Sequence, residues 1–179
     1  MTAVHTKAIG ERNVAIRPAR RAGEAKPRTQ NILIAVDGSE RTGRVLEFLI
    51  GLSESGLTIE VIVLNVQPKP EDWRLRGYIS FKKEEIHDRL VNDLGKPIIS
   101  SVGRTLDQVG IAHKDRIELG DLVETILRCA NEERCNLIVV GEPPPGAIRR
   151  WLTRTAGVSF GSVASNVMQL AEVPVAVVK

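Results

Sequence analysis

Aromatic residues make up 3% of this 179-residue chain, and it has two cysteines and three histidines. With so few rings the interior must be aliphatic, as in parallel sheets covered by helices, and little is left to stack on nucleic-acid bases. Cys129 and Cys135 lie six apart with no Cys-x-x-Cys spacing, which argues against a disulfide scaffold, a zinc site or a redox pair. A reduced, cytoplasmic protein is the expectation. No apolar run is long enough to span a bilayer, and the amino-terminal stretch has no apolar signal core. His5, His87 and His113 are far apart, and no Ser/His/Asp set, carboxylate pair or metal-ligand spacing is legible. His87 sits among Glu84, Glu85 and Asp88, which reads as a solvated helix face. An enzyme is therefore not expected, because no general base can be named.

The length suits one domain with a full core. The net charge of +3 is uneven: residues 1 to 29 carry +5, and the remainder carries −2. The high pI thus belongs to an amino-terminal arm with Pro18, Pro27 and no sustained apolar period, expected to be mostly disordered. Any attraction to nucleic acid or anionic lipid falls to that arm, and its plainer reading is a solvated extension. Residues 30 to 179 form the folded domain.

Within that domain, strand and helix patterns alternate. Asn31 to Val36 (NILIAV) is a buried strand, and Asp37-Gly38-Ser39 ends it. Val45, Leu49 and Leu52 recur at helical spacing behind it, and Gly56 stops that helix. Thr58 to Val66 is a second strand. Ile86, Leu90, Leu94, Ile98, Val102, Leu106 and Val109 mark a long helix, which Gly95-Lys96-Pro97 should kink or break. His113 to Leu119 is a weaker strand suited to a sheet edge. Asp121, with Glu124 three residues on, starts a third helix whose buried stripe is Val123, Ile126, Leu127 and Ala130. Leu137 to Val140 is a buried strand ended by Gly141, a Pro/Gly loop follows, Gly161-Ser162 opens a helix, and Val175 to Val178 is the last strand. Right-handed crossovers between parallel strands are the expected outcome.

Two places suggest chemistry. Strand, glycine loop and helix start, as in residues 136 to 163, is a layout that holds phosphate on free backbone N–H groups. Asp37 stands at the carboxyl end of its strand, where open α/β sheets bind ligands and a carboxylate can accept from a ribose or base. Turn and cap chemistry alone would also account for Asp37-Gly38-Ser39.

The pieces NILIAVDGS, VIVLNVQ, ELGDLVETIL, CNLIVVG and GSVASNVMQLAEVPVAVVK, in this order and spacing, resemble the universal stress protein family over about residues 30 to 179. The resemblance implies a five-stranded parallel sheet of order 3-2-1-4-5 with helices on both faces, a Rossmann-like fold of the adenine-nucleotide α-hydrolase type. It also implies ATP or a related adenine nucleotide as ligand, with Mg as its companion, and a homodimer formed through Val175 to Val178. Asp37 and Val66 would line the adenosine site, the backbone of Gly141 and of Gly161, Ser162 and Val163 would meet the phosphates, and Gly38 and Ser39 would also belong to the binding site.

Nucleotide-binding members carry Gly-x-x-Gly, nine residues, then Gly-Ser or Gly-Thr. Here the second glycine is replaced by Pro144, and sixteen residues precede Gly161-Ser162. Proline removes an N–H and fixes φ. Gly146 matches the segment after the second glycine, and the insertion brings Arg149 and Arg150, joined by Arg154, beside the expected phosphate. Two readings stay open: a nucleotide-binding stress-response module with a modified phosphate loop, or a dimeric interaction protein of the same fold that binds no nucleotide.

Overall fold

The computed structural model describes residues 29–69, 83–142 and 163–179. The expected arm lies outside the described residues. Five strands form one sheet in the order β3-β2-β1-β4-β5. They are β1 (Gln30–Ala35), β2 (Ile59–Gln67), β3 (Ala112–Leu119), β4 (Leu137–Gly141) and β5 (Val175–Val178). Every neighbouring pair is parallel. β1 lies in the middle, with Ile34 opposite Val63 on one side and Val139 on the other. The expected strands and their order are borne out.

The helices divide between the two faces because side chains alternate along a strand. Ile32 and Ile34 of β1, Val61 and Val63 of β2, and Val139 of β4 face α1 (Glu40–Glu54) and α3 (Lys96–Gln108). Leu33, Ile62, Leu64, Ile138 and Val140 face α4 (Leu122–Glu132) and α5 (Val163–Leu170). A strand buried on both faces has no polar side, which is why the central strands read as unbroken apolar runs. Leu33, Ile34 and Leu64 are fully buried, each contributing about 1.5–3 kcal/mol.

The helix expected to kink or break at Gly95-Lys96-Pro97 does not break, and it widens there. Between α2 (Lys83–Asp88) and α3 runs a π-helical stretch, Arg89–Gly95, where the Lys96 N–H reaches the carbonyl of Val91, five residues back. Pro97 lacks an N–H for Asp93, and its ring would collide with that carbonyl in a tight α-turn. The wider turn removes both problems. It also sets Gly95 against β3, where an added Cβ would stand 2.8 Å from Ile117 Cγ2.

β3 is an edge strand, as expected, and it is charged. Lys114 Nζ binds Glu133 at 2.7 Å; Arg116 binds Glu118, Glu132 and Glu133; Arg128 binds Glu118 and Glu132. The imidazole of His113 lies between Asp115 Oδ1 at 3.0 Å and Asp107 Oδ1 at 3.3 Å. Such an edge resists pairing with another sheet. Asp121 caps α4 as anticipated, its carboxylate accepting from the Glu124 N–H at 2.9 Å. Cys129 and Cys135 are free and buried, and burial pushes the Cys135 thiol up to about 11.

Candidate functional site at the strand-order reversal

The strand order reverses between β1 and β4. Ala35 pairs with Val140, so the chain leaves both strands at the same edge of the sheet. From β1 it enters α1 on one face, and the next described element after β4 is α5 on the other. Helices departing to opposite faces leave a crevice between the two strand ends, the place where open α/β sheets take ligands. The Asp37 turn and the Gly141 end thus stand side by side.

Asp37 is already heavily bonded. Its Oδ1 accepts from the Ser39 N–H at 3.0 Å, the Ser39 hydroxyl at 2.6 Å and the Thr42 hydroxyl at 3.3 Å. Its Oδ2 accepts from Arg41 Nη2, and Arg41 Nε donates to Ser39 Oγ at 3.1 Å. Burial works against the charge of Asp37, but the Ser39 hydroxyl and amide and the Arg41 guanidinium outweigh it and hold the carboxyl below its ordinary value. A carboxylate has about four acceptor positions, so the capacity left for a ligand is on Oδ2. Gly38 makes this turn with φ +73, and a Cβ there would lie 3.1 Å from Ile98 Cγ1. Ser39 occupies the N-cap position of α1 but makes no side-chain cap bond; its hydroxyl is spent on Asp37.

The end of β2 supports this turn from below. Asn65, 2% exposed, donates from Nδ2 to the Val36 carbonyl at 2.8 Å and accepts from Gln67 Nε2 at 2.7 Å. Val66, expected to line the site, is half-buried at the carboxyl end of β2, packed toward the α4 and α5 face.

Gly141 has a second reason to be glycine. A Cβ on it would stand 2.8 Å from Arg41 Cβ and 3.3 Å from the Arg41 carbonyl oxygen, so the first turn of α1 presses on the end of β4. One turn further along α1, Arg44 Nη2 donates to the Glu142 carbonyl at 3.1 Å, while its Nε is buried without a partner. Arg41 and Arg44 were missed by sequence reasoning. Their signal was there, two arginines three apart directly after Asp37-Gly38-Ser39, but they read as ordinary helix-surface positions. Val163 opens α5 and is exposed. Gly146, Arg149, Arg150, Gly161 and Ser162, together with Pro144, lie outside the described residues.

A cavity of about 480 Å³ opens at the opposite edge of the sheet, lined in part by Leu127, Arg134, Cys135, Ile138 and Glu172, and it shares no residue with the crevice. Among the described residues no group of three or more His, Cys, Asp or Glu is placed to hold a metal ion, and no helix is long and apolar enough to cross a membrane.

Residues 28–179 match the model of the universal stress protein family. The chain belongs to the universal stress protein family. No curated protein matches it. Among solved structures it is similar to the hypothetical protein MJ0577, at 26% identity and TM-score 0.62, over 83% of this chain and 94% of that one. It is also similar to the universal stress protein from Archaeoglobus fulgidus in complex with dAMP, at 25% identity and TM-score 0.55, covering 84% and 98% of the two chains. UspA from Lactobacillus plantarum, at 18% identity and TM-score 0.60 over 87% and 100%, shares the fold. The expected sheet order is thus that of a universal stress protein, and its strand-order reversal is where Asp37 and Gly141 meet.

Proposed function

We propose that this chain is a nucleotide-binding stress-response module that takes ATP or a related adenine nucleotide, with Mg as companion, in the crevice between β1 and β4. The observation that carries the reading is the juxtaposition of an ionised Asp37 with the Gly141 end of β4 at the strand-order reversal. The Archaeoglobus fulgidus relative in complex with dAMP supports the same ligand class. The test is to denature purified protein, look for released nucleotide, and measure the melting shift with added ATP. Absence of both signals at millimolar ATP would abandon the reading.

A second reading, an interaction protein without nucleotide, is favoured by one specific fact: Arg41 and Ser39 already occupy most of Asp37. It requires that Asp37→Ala leave partner capture intact. In either reading the protein acts as a homodimer through β5, whose half-buried Val175, Ala176, Val177 and Val178 lie at the edge opposite the charged β3. Sedimentation of Val177→Arg would then show a smaller species than the wild type. We take the protein to be cytoplasmic and to bind rather than to turn over its ligand; saturable phosphate release would overturn the second point.

A further inference from the structure

We propose that Arg41 and Arg44 of α1 are the groups through which the crevice recognises the phosphate of its ligand, an inference that rests on nucleotide binding at this site. Arg41 spans the crevice: its Cβ packs on Gly141 at the end of β4, and its guanidinium is tied to Asp37 and Ser39 at the end of β1. Two of its five N–H groups are used there, and the remaining three have no partner among the described residues. A guanidinium anchored on one edge with its other N–H groups free is preorganised for the oxygens of a phosphate.

Arg44, one turn along, touches the other wall of the crevice through the Glu142 carbonyl, and its buried Nε is unsatisfied. The buried Nε is out of a ligand's reach, so an anion beside Arg44 would be held by its charge and by the Nη groups that the Glu142 carbonyl leaves over. The surrounding charges leave room for one. Asp37 is neutralised by Arg41, the Glu142 carboxylate faces Lys179 Nζ at 3.8 Å, and Glu40 is exposed to water. Arg44 makes no ion pair among the described residues, so its charge is in surplus. These two side chains stand on a helix rather than a loop. They offer a phosphate a charged grip that does not depend on backbone N–H groups.

The experiment measures binding of adenosine, AMP and pyrophosphate to the full chain and to Arg41→Gln, Arg41→Lys and Arg44→Gln, with melting curves to establish that each variant is folded. The ratio of AMP to adenosine affinity should fall about tenfold in Arg41→Gln and several-fold in Arg44→Gln, as expected for losing one charge-assisted contact, and recover in part in Arg41→Lys. The excess affinity for AMP should also shrink as salt rises. An unchanged ratio in both glutamine variants overturns the inference and leaves nucleotide binding standing. Pyrophosphate binding that depends on Arg41, without adenosine or AMP binding, supports the inference and ends the adenine reading. No binding of any of the three ligands to the wild type ends both.

Discussion

Asn65 allows a sharp test of how the crevice is supported. It is 2% exposed, its amide donates to the Val36 carbonyl, and the π-helical stretch closes over it, with a Cβ on Gly95 standing 3.3 Å from Oδ1. Asn65→Leu removes the donor and leaves the Val36 carbonyl buried without it, a loss of about 1–3 kcal/mol. Asn65→Asp keeps the shape and replaces the donor by a carboxylate aimed at a carbonyl oxygen. With the charge uncompensated the loss should reach about 3–5 kcal/mol near neutral pH.

The two variants part company with pH. In the folded state the new carboxyl should titrate above its unfolded value of about 3.9, because burial and the facing carbonyl both disfavour the anion. A raised folded value means that the protonated form, which can donate to Val36, stabilises fully below the unfolded value and fades as pH rises through the folded one. Between pH 8 and pH 5 the deficit of Asn65→Asp relative to wild type should therefore narrow by more than about 1 kcal/mol, since one pKa unit corresponds to about 1.4 kcal/mol. Asn65→Leu should show no such narrowing. Urea titrations of the three proteins at the two pH values read this directly. A deficit in Asn65→Asp that is independent of pH, or smaller than about 1 kcal/mol at pH 8, refutes the claim that this amide holds the end of β1.

Other perturbations follow from close contacts and charge. Gly95→Ala places a Cβ 2.8 Å from Ile117 Cγ2, and the shift this forces should cost about 1–3 kcal/mol in urea unfolding. Gly141→Ala meets Arg41 Cβ at 2.8 Å and the Arg41 carbonyl at 3.3 Å; because part of that obstacle is backbone, α1 must move, and a ligand-induced melting shift should fall with stability. Arg116→Gln leaves Glu118, Glu132 and Glu133 without their shared partner, so it should melt lower at low salt and approach wild type in molar salt. The carboxyls of Asp37 and Glu118 are held below their ordinary values despite burial, by Ser39 and Arg41 in one case and by Arg116 and Arg128 in the other. Their stabilisation is present above the unfolded values, about 4, and is lost as pH falls through the folded ones. An acid midpoint that does not move in Arg116→Gln counts against the second assignment.

The central strands were legible because burial on both faces left long apolar runs, as in Ile32, Leu33 and Ile34. Their order was not in the periodicity; it came from the family resemblance. The helix through Pro97 was legible only in part, because proline at that position states a local conflict without saying how the chain resolves it. A break and a π-turn both spare the clash, and packing of Gly95 against Ile117 favours the latter. Asp37 and Gly141 were readable as strand ends. Arg41 and Arg44 were not, because their role depends on where α1 crosses β4, and strand-to-helix crossing distances leave no trace in local sequence. Asn65 was hidden for a similar reason: within an apolar strand a single asparagine gains meaning from the carbonyl it meets on the neighbouring strand.

Arg41 also ties the two ends of the crevice into one unit. Its stem touches β4 and its head holds the carboxylate of β1, so a ligand that takes a hydrogen bond from Arg41 must also feel the state of Asp37. A contact with adenosine at Oδ2 and a phosphate on the free edge of Arg41 would draw on the same guanidinium. The two halves of a nucleotide should then bind with coupled, non-additive free energies. Phosphate capture by backbone N–H groups alone would leave the halves independent. A double-mutant cycle of Asp37→Asn and Arg41→Gln, read on AMP and on adenosine, separates these cases. Coupling that appears with AMP and vanishes with adenosine follows from a shared guanidinium, and equal coupling with both ligands would assign Arg41 to holding the turn alone.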